Sequence, residues 1–367
     1  MSLTNLLEHG GNVWEAGRKS HRRFDRFLDF SSNINPCGPP PGVREALRKG
    51  FKKIIYYPDP DYACLKVALV RFLGVKPASI FVGNGLSQII DLVTRVHDFR
   101  DAIILNPTYR EYELACLKTG ISVRHLAFRE KENFNVEIEK FYEILDKKKE
   151  SLIFFCNPNN PTGVFIPRPF FKDLLKKISS GGHWLVVDEA FIDFSPGGRE
   201  DSLMPLVNQY PRLVVLWSLT KIFSIPGLRL GVAIANKKIT ERLEEIVSPW
   251  SVNILAEEAA IASLKDKAFL EETRRWIKRE SEYLFNSLNK FKCLKIYPSQ
   301  ANFFLLKIMD KNITAGKLAK ALFAHKILIR NCSNFRSLDD YFFRLAVKDR
   351  ESNTKLISAL TKYLDIG

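Results

Sequence analysis

The segment Ser218–Gly231, SLTKIFSIPGLRLG, places Lys221 in a hydroxyl-rich turn and Arg229 eight positions later. Among side chains only lysine offers a primary amine able to condense with a carbonyl. Ser218 and Thr220 add short-armed hydroxyl donors and Arg229 adds a cation, the groups an anion such as phosphate needs. Alone, a lysine between apolar segments reads as a solvated charge, so the weight falls on the other segments.

Trp184–Val187 is an apolar run that reads as a buried strand, with Asp188 at its carboxyl end. Ligands of open α/β sheets sit at that end of the strands. A second apolar run, Ser151–Cys156, leads into NPNNPTG, where prolines and a glycine stop helix and strand alike and present Asn160 from a rigid turn. In Val82–Val96, Gly83 and Gly85 form a turn before a helix expected to begin near Leu86, and Ser87 adds a hydroxyl. A helix start offers free N–H groups and a positive dipole end to an anion. After the apolar strand Ala102–Leu105, Tyr109 in NPTYREY has a ring able to stack on a ligand.

In this order, each at the end of an apolar strand, these segments resemble the fold-type I pyridoxal phosphate enzymes over nearly the whole chain. The resemblance implies an α/β fold: a mostly parallel, seven-stranded large domain with a smaller α+β C-terminal domain. It implies that Lys221 carries pyridoxal 5'-phosphate, that Asp188 pairs with the pyridine nitrogen, and that Asn160 donates to the phenolic oxygen. Gly85, Leu86, Ser87, Ser218, Thr220 and Arg229 then resemble the phosphate cup, and Tyr109 the stacking ring. Tyr57, in YYPDPDY, resembles the tyrosine that reaches the cofactor phosphate from a neighbouring subunit, implying a homodimer with shared active sites.

For the substrate, Arg344 in FFRLAV matches the arginine that grips the α-carboxylate, a task suited to a planar guanidinium. Arg330 in ILIRNCSNF matches a position that holds a substrate phosphate, and Asn33 lies in the N-terminal strand and turn that closes over the substrate. Two families within the fold type fit: the L-threonine O-3-phosphate decarboxylases of cobalamin biosynthesis and the histidinol-phosphate aminotransferases. HGGN, His9–Asn12, followed by DFSSNINPCGPP, resembles the decarboxylases. His9, the amides of Gly10 and Gly11, and Asn12 are expected to form a pocket for the substrate phosphate. Phe191, in DEAFIDF, agrees with the decarboxylase pattern where the aminotransferases carry a tyrosine that donates to the cofactor.

At 367 residues and 46% hydrophobic content, two packed domains are expected. The bounds read as an N-terminal arm over 1–44, a cofactor domain over 45–250 and a small domain over 251–367. The six cysteines have no CxxC spacing, which points to thiols in a reducing compartment and to no metal site. No apolar run approaches a membrane span, and the start, MSLTNLLEHGG, lacks a secretory core, so a cytoplasmic protein is expected. The net charge of +15 is spread along the chain, with clusters at Lys19–Arg26, Arg44–Lys53 and Lys147–Lys149. No nucleic-acid-binding motif accompanies it, and an anionic small-molecule substrate is the expected partner. Strands are expected at Ile103–Leu105, Ser122–Ala127, Leu152–Cys156, Trp184–Val187, Leu213–Trp217, Leu230–Ile234, Asn302–Ile308, Ile327–Arg330 and Tyr341–Val347. Helices are expected at Ile254–Leu264, Lys267–Asn289, Ala315–Ala324 and Glu351–Leu364.

Overall fold

The computed structural model describes residues 9–146 and 150–364; the basic cluster Lys147–Lys149 and the opening residues before His9 lie outside them. The strands, in chain order, are β1 (Leu28–Asp29), β2 (Ile80–Gly83), β3 (Asp101–Asn106), β4 (Ser122–Ala127), β5 (Leu152–Cys156), β6 (Trp184–Asp188), β7 (Leu213–Ser218) and β8 (Gly231–Ala235). They continue as β9 (Leu294–Ile296), β10 (Phe303–Ile308), β11 (Ile327–Leu328), β12 (Arg330–Asn331) and β13 (Phe342–Ala346).

A seven-stranded sheet has the order β2-β8-β7-β6-β5-β3-β4. Only β8 runs against its neighbours, β2 and β7; the pairs from β7 to β4 are parallel. Six strands therefore end on one edge, and the start of β8 returns there. Their sequences explain the burial: β5, β7 and β8 are buried along their whole length, as near-continuous apolar strands covered on both faces should be. Ile153 and Phe155 of β5 pack into the core on one face and Phe154 into that on the other. Edge strand β4 is instead half-exposed.

A second sheet, β12-β13-β10-β9, is antiparallel throughout. The N-terminal segment joins it: β1 pairs in parallel with β11, and Phe30 donates its amide to Leu328 O and accepts from Ala346 N (2.8 and 2.9 Å). The strand expected over Ile327–Arg330 is thus two short ones, because the chain changes partner at Ile329, from β1 to β13. The expected final helix also stops earlier, spanning Arg350–Leu360. Among the described residues no helix is long and apolar enough to cross a membrane, and no cluster of metal-ligating side chains occurs.

Candidate active site

The shared edge of the large sheet is where the sequence segments meet. Gly83, Cys156, Asp188 and Ser218 end their strands there, and Arg229 precedes Gly231 at the start of β8. Together with the N-terminal segment and the β12–β13 pair they enclose a cavity of about 180 Å³. Of the expected residues, His9, Gly10, Asn33, Leu86, Ser87, Tyr109, Asn160, Asp188, Ser218, Thr220, Lys221, Arg229, Arg330 and Arg344 line it, as does Phe191.

On the floor, Asp188 is buried and both its oxygens are held: Tyr112 donates its hydroxyl to Oδ2 (2.7 Å) and the Ala190 amide donates to Oδ1 (2.9 Å). Burial raises the Asp188 pKa, while those two donors and the Lys221 charge oppose the rise. Lys221 is half-buried, and among the described residues its amine has no hydrogen-bond or ion-pair partner. Burial first, then Arg229 and Arg344, push its pKa down to about 8, with Asp188 resisting. At one end of the cavity, the helix Gly85–Val93 starts beside Arg229. Gly85 has φ +75°, and a Cβ there would lie 2.6 Å from Arg229 Nη2, so only glycine fits both the backbone and the contact. Ser218 and Thr220 share a hydroxyl hydrogen bond of 2.8 Å nearby. Tyr109 packs edge-on to Tyr112, and burial lifts its phenol to about 12.

At the other end, Arg344 and Arg330 face each other in register across β12 and β13. Arg344 donates to Asn160 Oδ1 and to Ser31 O (the latter 2.7 Å), while among the described residues its buried Nε has no acceptor and the buried Oδ1 of Asn33 no donor. Arg330 donates to Asn331 O (2.6 Å) and Asn334 Oδ1 (2.8 Å).

The His9–Asn12 turn departs from its expected role. Gly11 N donates to Ser31 Oγ (2.7 Å), and Asn12 caps the helix Val13–Ser20 by accepting from Glu15 N and donating to the Glu15 carboxylate. These two are thus committed to the fold and stand outside the cavity lining. A Cβ on Gly10 would lie 2.1 Å from Ser31 O, so close packing on the Ser31 segment accounts for glycine here without any anion. His9 remains at the mouth, 3.0 Å from Glu111. Tyr57 lies elsewhere, 77% exposed and stacked on Trp250 (4.5 Å between centroids).

A family model described as aminotransferase class I and II matches residues 25–360. The chain belongs to that family. It is similar to the threonine-phosphate decarboxylase of Salmonella typhimurium, with 36% identity covering 99% of this chain and 98% of the relative. It also matches the adenosylcobalamin biosynthesis bifunctional protein CobDQ of Leptospira interrogans, at 32% identity over 97% of this chain and 41% of that protein. Among solved structures, the histidinol-phosphate aminotransferase from Clostridium acetobutylicum superposes with a TM-score of 0.85 and 36% identity, covering 91% of this chain and 98% of that one.

Pyridoxal 5'-phosphate is the cofactor of this aminotransferase-family chain, and the cavity suits it chemically. It combines an amine without a partner among the described residues, a buried carboxylate that accepts from two donors, and a helix start with hydroxyls and a cation beside a glycine that leaves room. Two residues escaped the sequence reading: Tyr112, which supports Asp188 from outside the lining, and Arg110 within it. Tyr112 sits in one motif with Tyr109, but what it touches belongs to a strand 76 residues away, so no local signal marked its role. Arg110 carried no motif signal.

Removing the Tyr112 hydroxyl leaves Asp188 with one donor. Tyr112→Phe is expected to lower kcat about tenfold or more, the worth of a hydrogen bond to a charged group. With that donor gone, burial lifts the Asp188 pKa further. Activity needing the ionised carboxylate then falls away at a higher pH on acidification, so the acid limb of the kcat profile should move upward.

Proposed function

We propose that the protein decarboxylates L-threonine O-3-phosphate, using pyridoxal phosphate, to (R)-1-aminopropan-2-ol O-phosphate for the nucleotide loop of cobalamin. The observation that carries this reading is the in-register pair Arg330 and Arg344 on the cavity that also holds Lys221. Such a substrate brings one carboxylate and one phosphate to either side of a single amine, and two guanidinium groups suit two anions. Histidinol phosphate has no carboxylate. Similarity to the Salmonella decarboxylase over nearly both full lengths, and to the Leptospira protein named for adenosylcobalamin biosynthesis, supports the same choice. So does Phe191, which packs edge-on against Phe303 and brings no hydroxyl to the cavity.

When bound, pyridoxal phosphate supplies an electron-poor ring, conjugated with the substrate amine, that absorbs the electron pair of the bond broken at Cα. Gly85, Leu86, Ser87, Ser218, Thr220 and Arg229 would hold its phosphate, Asn160 its phenolic oxygen, Tyr109 its face and Asp188 a proton on its ring nitrogen. Arg344 would then grip the carboxylate and orient its bond to Cα for cleavage, with Asn33 beside it and Arg330, His9 and Gly10 at the phosphate end. Orientation selects the bond that breaks. Lys221, with its amine set free, would return a proton to Cα.

A second copy of the chain completes the reading. Phe51, Ile54, Ile55, Tyr56 and Tyr57 are all exposed on one short segment, an apolar patch that a homodimer would cover while delivering Tyr57 to the neighbouring cofactor phosphate. The described cysteines form no disulfide, in keeping with a cytoplasmic enzyme.

The deciding experiment incubates the purified holoenzyme with L-threonine O-3-phosphate and no keto acid. Stoichiometric carbon dioxide and aminopropanol phosphate are expected. Turnover of histidinol phosphate that depends on 2-oxoglutarate, without carbon dioxide from threonine phosphate, would replace this reading with the aminotransferase one.

A further inference from the structure

We infer that Arg110 is a positioning residue for the phosphate end of the substrate, acting through Asn334 on Arg330; this rests on the substrate reading above. Arg110 immediately precedes the helix Glu111–Lys118, a few residues beyond β3, and so moves with the large sheet. It is buried, it lines the cavity, and its Nη1 donates to Asn334 O at 2.9 Å, across 224 residues of chain. Asn334 in turn accepts on Oδ1 from Arg330 Nη2 at 2.8 Å. One residue therefore receives a guanidinium on its backbone carbonyl from the large sheet and another on its side chain from β12.

A second tie fixes the same segment. Arg336 Nη2 donates to Glu113 Oε1 at 2.8 Å, and Glu113 lies three residues past Arg110 on the same face of its helix. Between the two ties sits Phe335, which lines the cavity and lies under the Arg330 guanidinium, 5.1 Å from its carbon to the ring centroid. The direction in which Arg330 points thus depends on where Asn334 and Phe335 are held, and Arg110 is the buried anchor of that hold. Arginine suits this place because it stays charged when buried and has donors enough to hold a carbonyl while still presenting positive charge to the cavity. Its bond to Asn334 O directs it to the Arg330 end of the cavity, so its removal should leave the cofactor undisturbed.

The test titrates the holoenzyme with L-threonine O-3-phosphate and with L-threonine, following the visible absorption of the cofactor, and compares the two affinities. The wild type is expected to prefer the phosphorylated amino acid. Arg110→Ala should lose about tenfold or more of that preference, as loss of a charged donor predicts, while its affinity for L-threonine and its cofactor spectrum change less than about twofold. Arg110→Lys, which can still donate to Asn334 O, should recover part of it. In an Arg330→Ala background the same substitution should cost less than about twofold, because residues acting as one unit do not add. Retention of full preference by Arg110→Ala, or losses that multiply fully in the double variant, would overturn this inference alone. A wild type that does not distinguish the two ligands would overturn the substrate reading and this inference with it.

Discussion

Replacing Lys221 with alanine should reduce turnover of L-threonine O-3-phosphate by at least about 10³-fold, within the range a positioned proton-transfer group supplies, and should abolish the covalent hold on the cofactor. The visible absorption of the bound cofactor should shift as that link is lost, which separates the effect from unfolding. The Lys221 environment adds a pH dependence. Burial, reinforced by Arg229 and Arg344, places its pKa at about 8. Below that pH the amine is protonated and cannot attack a carbonyl, and above it the neutral form predominates. Capture of pyridoxal phosphate by cofactor-free protein should therefore speed up about tenfold per pH unit on approach to pH 8 from below, and level off above it. A wild-type rate flat across this range would remove the assignment of a depressed pKa. Turnover and an unchanged spectrum in Lys221→Ala would remove Lys221 from the chemistry.

The second large effect is expected at Arg344. It is buried, its charge is disfavoured chiefly by burial and further by Arg330, and its pKa is brought to about 10. A guanidinium held in such a place, with Nε lacking an acceptor among the described residues, suits an anionic ligand. Arg344→Ala should raise KM for L-threonine O-3-phosphate by roughly 30-fold to a few thousand-fold, corresponding to the loss of one side of a buried charge pair. Arg344→Lys keeps the charge but loses the planar fork, so it should recover only part of the loss. Ser31 O and Asn160 Oδ1 lose a donor in the alanine variant, so thermal melting and cofactor content should be measured alongside. If KM is unchanged while kcat falls, Arg344 shapes the site without binding the carboxylate.

The pieces differ in how far the sequence revealed them. Asp188, Asn160 and Lys221 were legible because each ends or follows a buried apolar strand, and chain order alone puts such ends on one edge of a parallel sheet. Gly85 was legible because a positive φ beside a close side chain admits little else. The His9–Asn12 turn was misread in part: a glycine pair looks the same whether it cradles an anion or packs against a backbone, and only the position of Ser31 decides between them. The split of the strand expected over Ile327–Arg330 was equally hidden, since pairing partners come from segments distant in sequence.

By itself, the sequence determined the local chemistry: an amine in a hydroxyl-rich turn, an acid at the end of a strand, a glycine-led helix start, and arginines in apolar strands. Those follow from residue type and period, which are properties of short stretches. Tertiary structure alone decided what surrounds them. It brought Tyr112 onto Asp188, set Arg330 against Arg344, and placed Arg110 at Asn334, through contacts spanning 14 to 224 residues. The physical reason is that burial, pKa and the aim of a guanidinium depend on neighbours in space, and no periodicity within one segment records which distant segment will supply them.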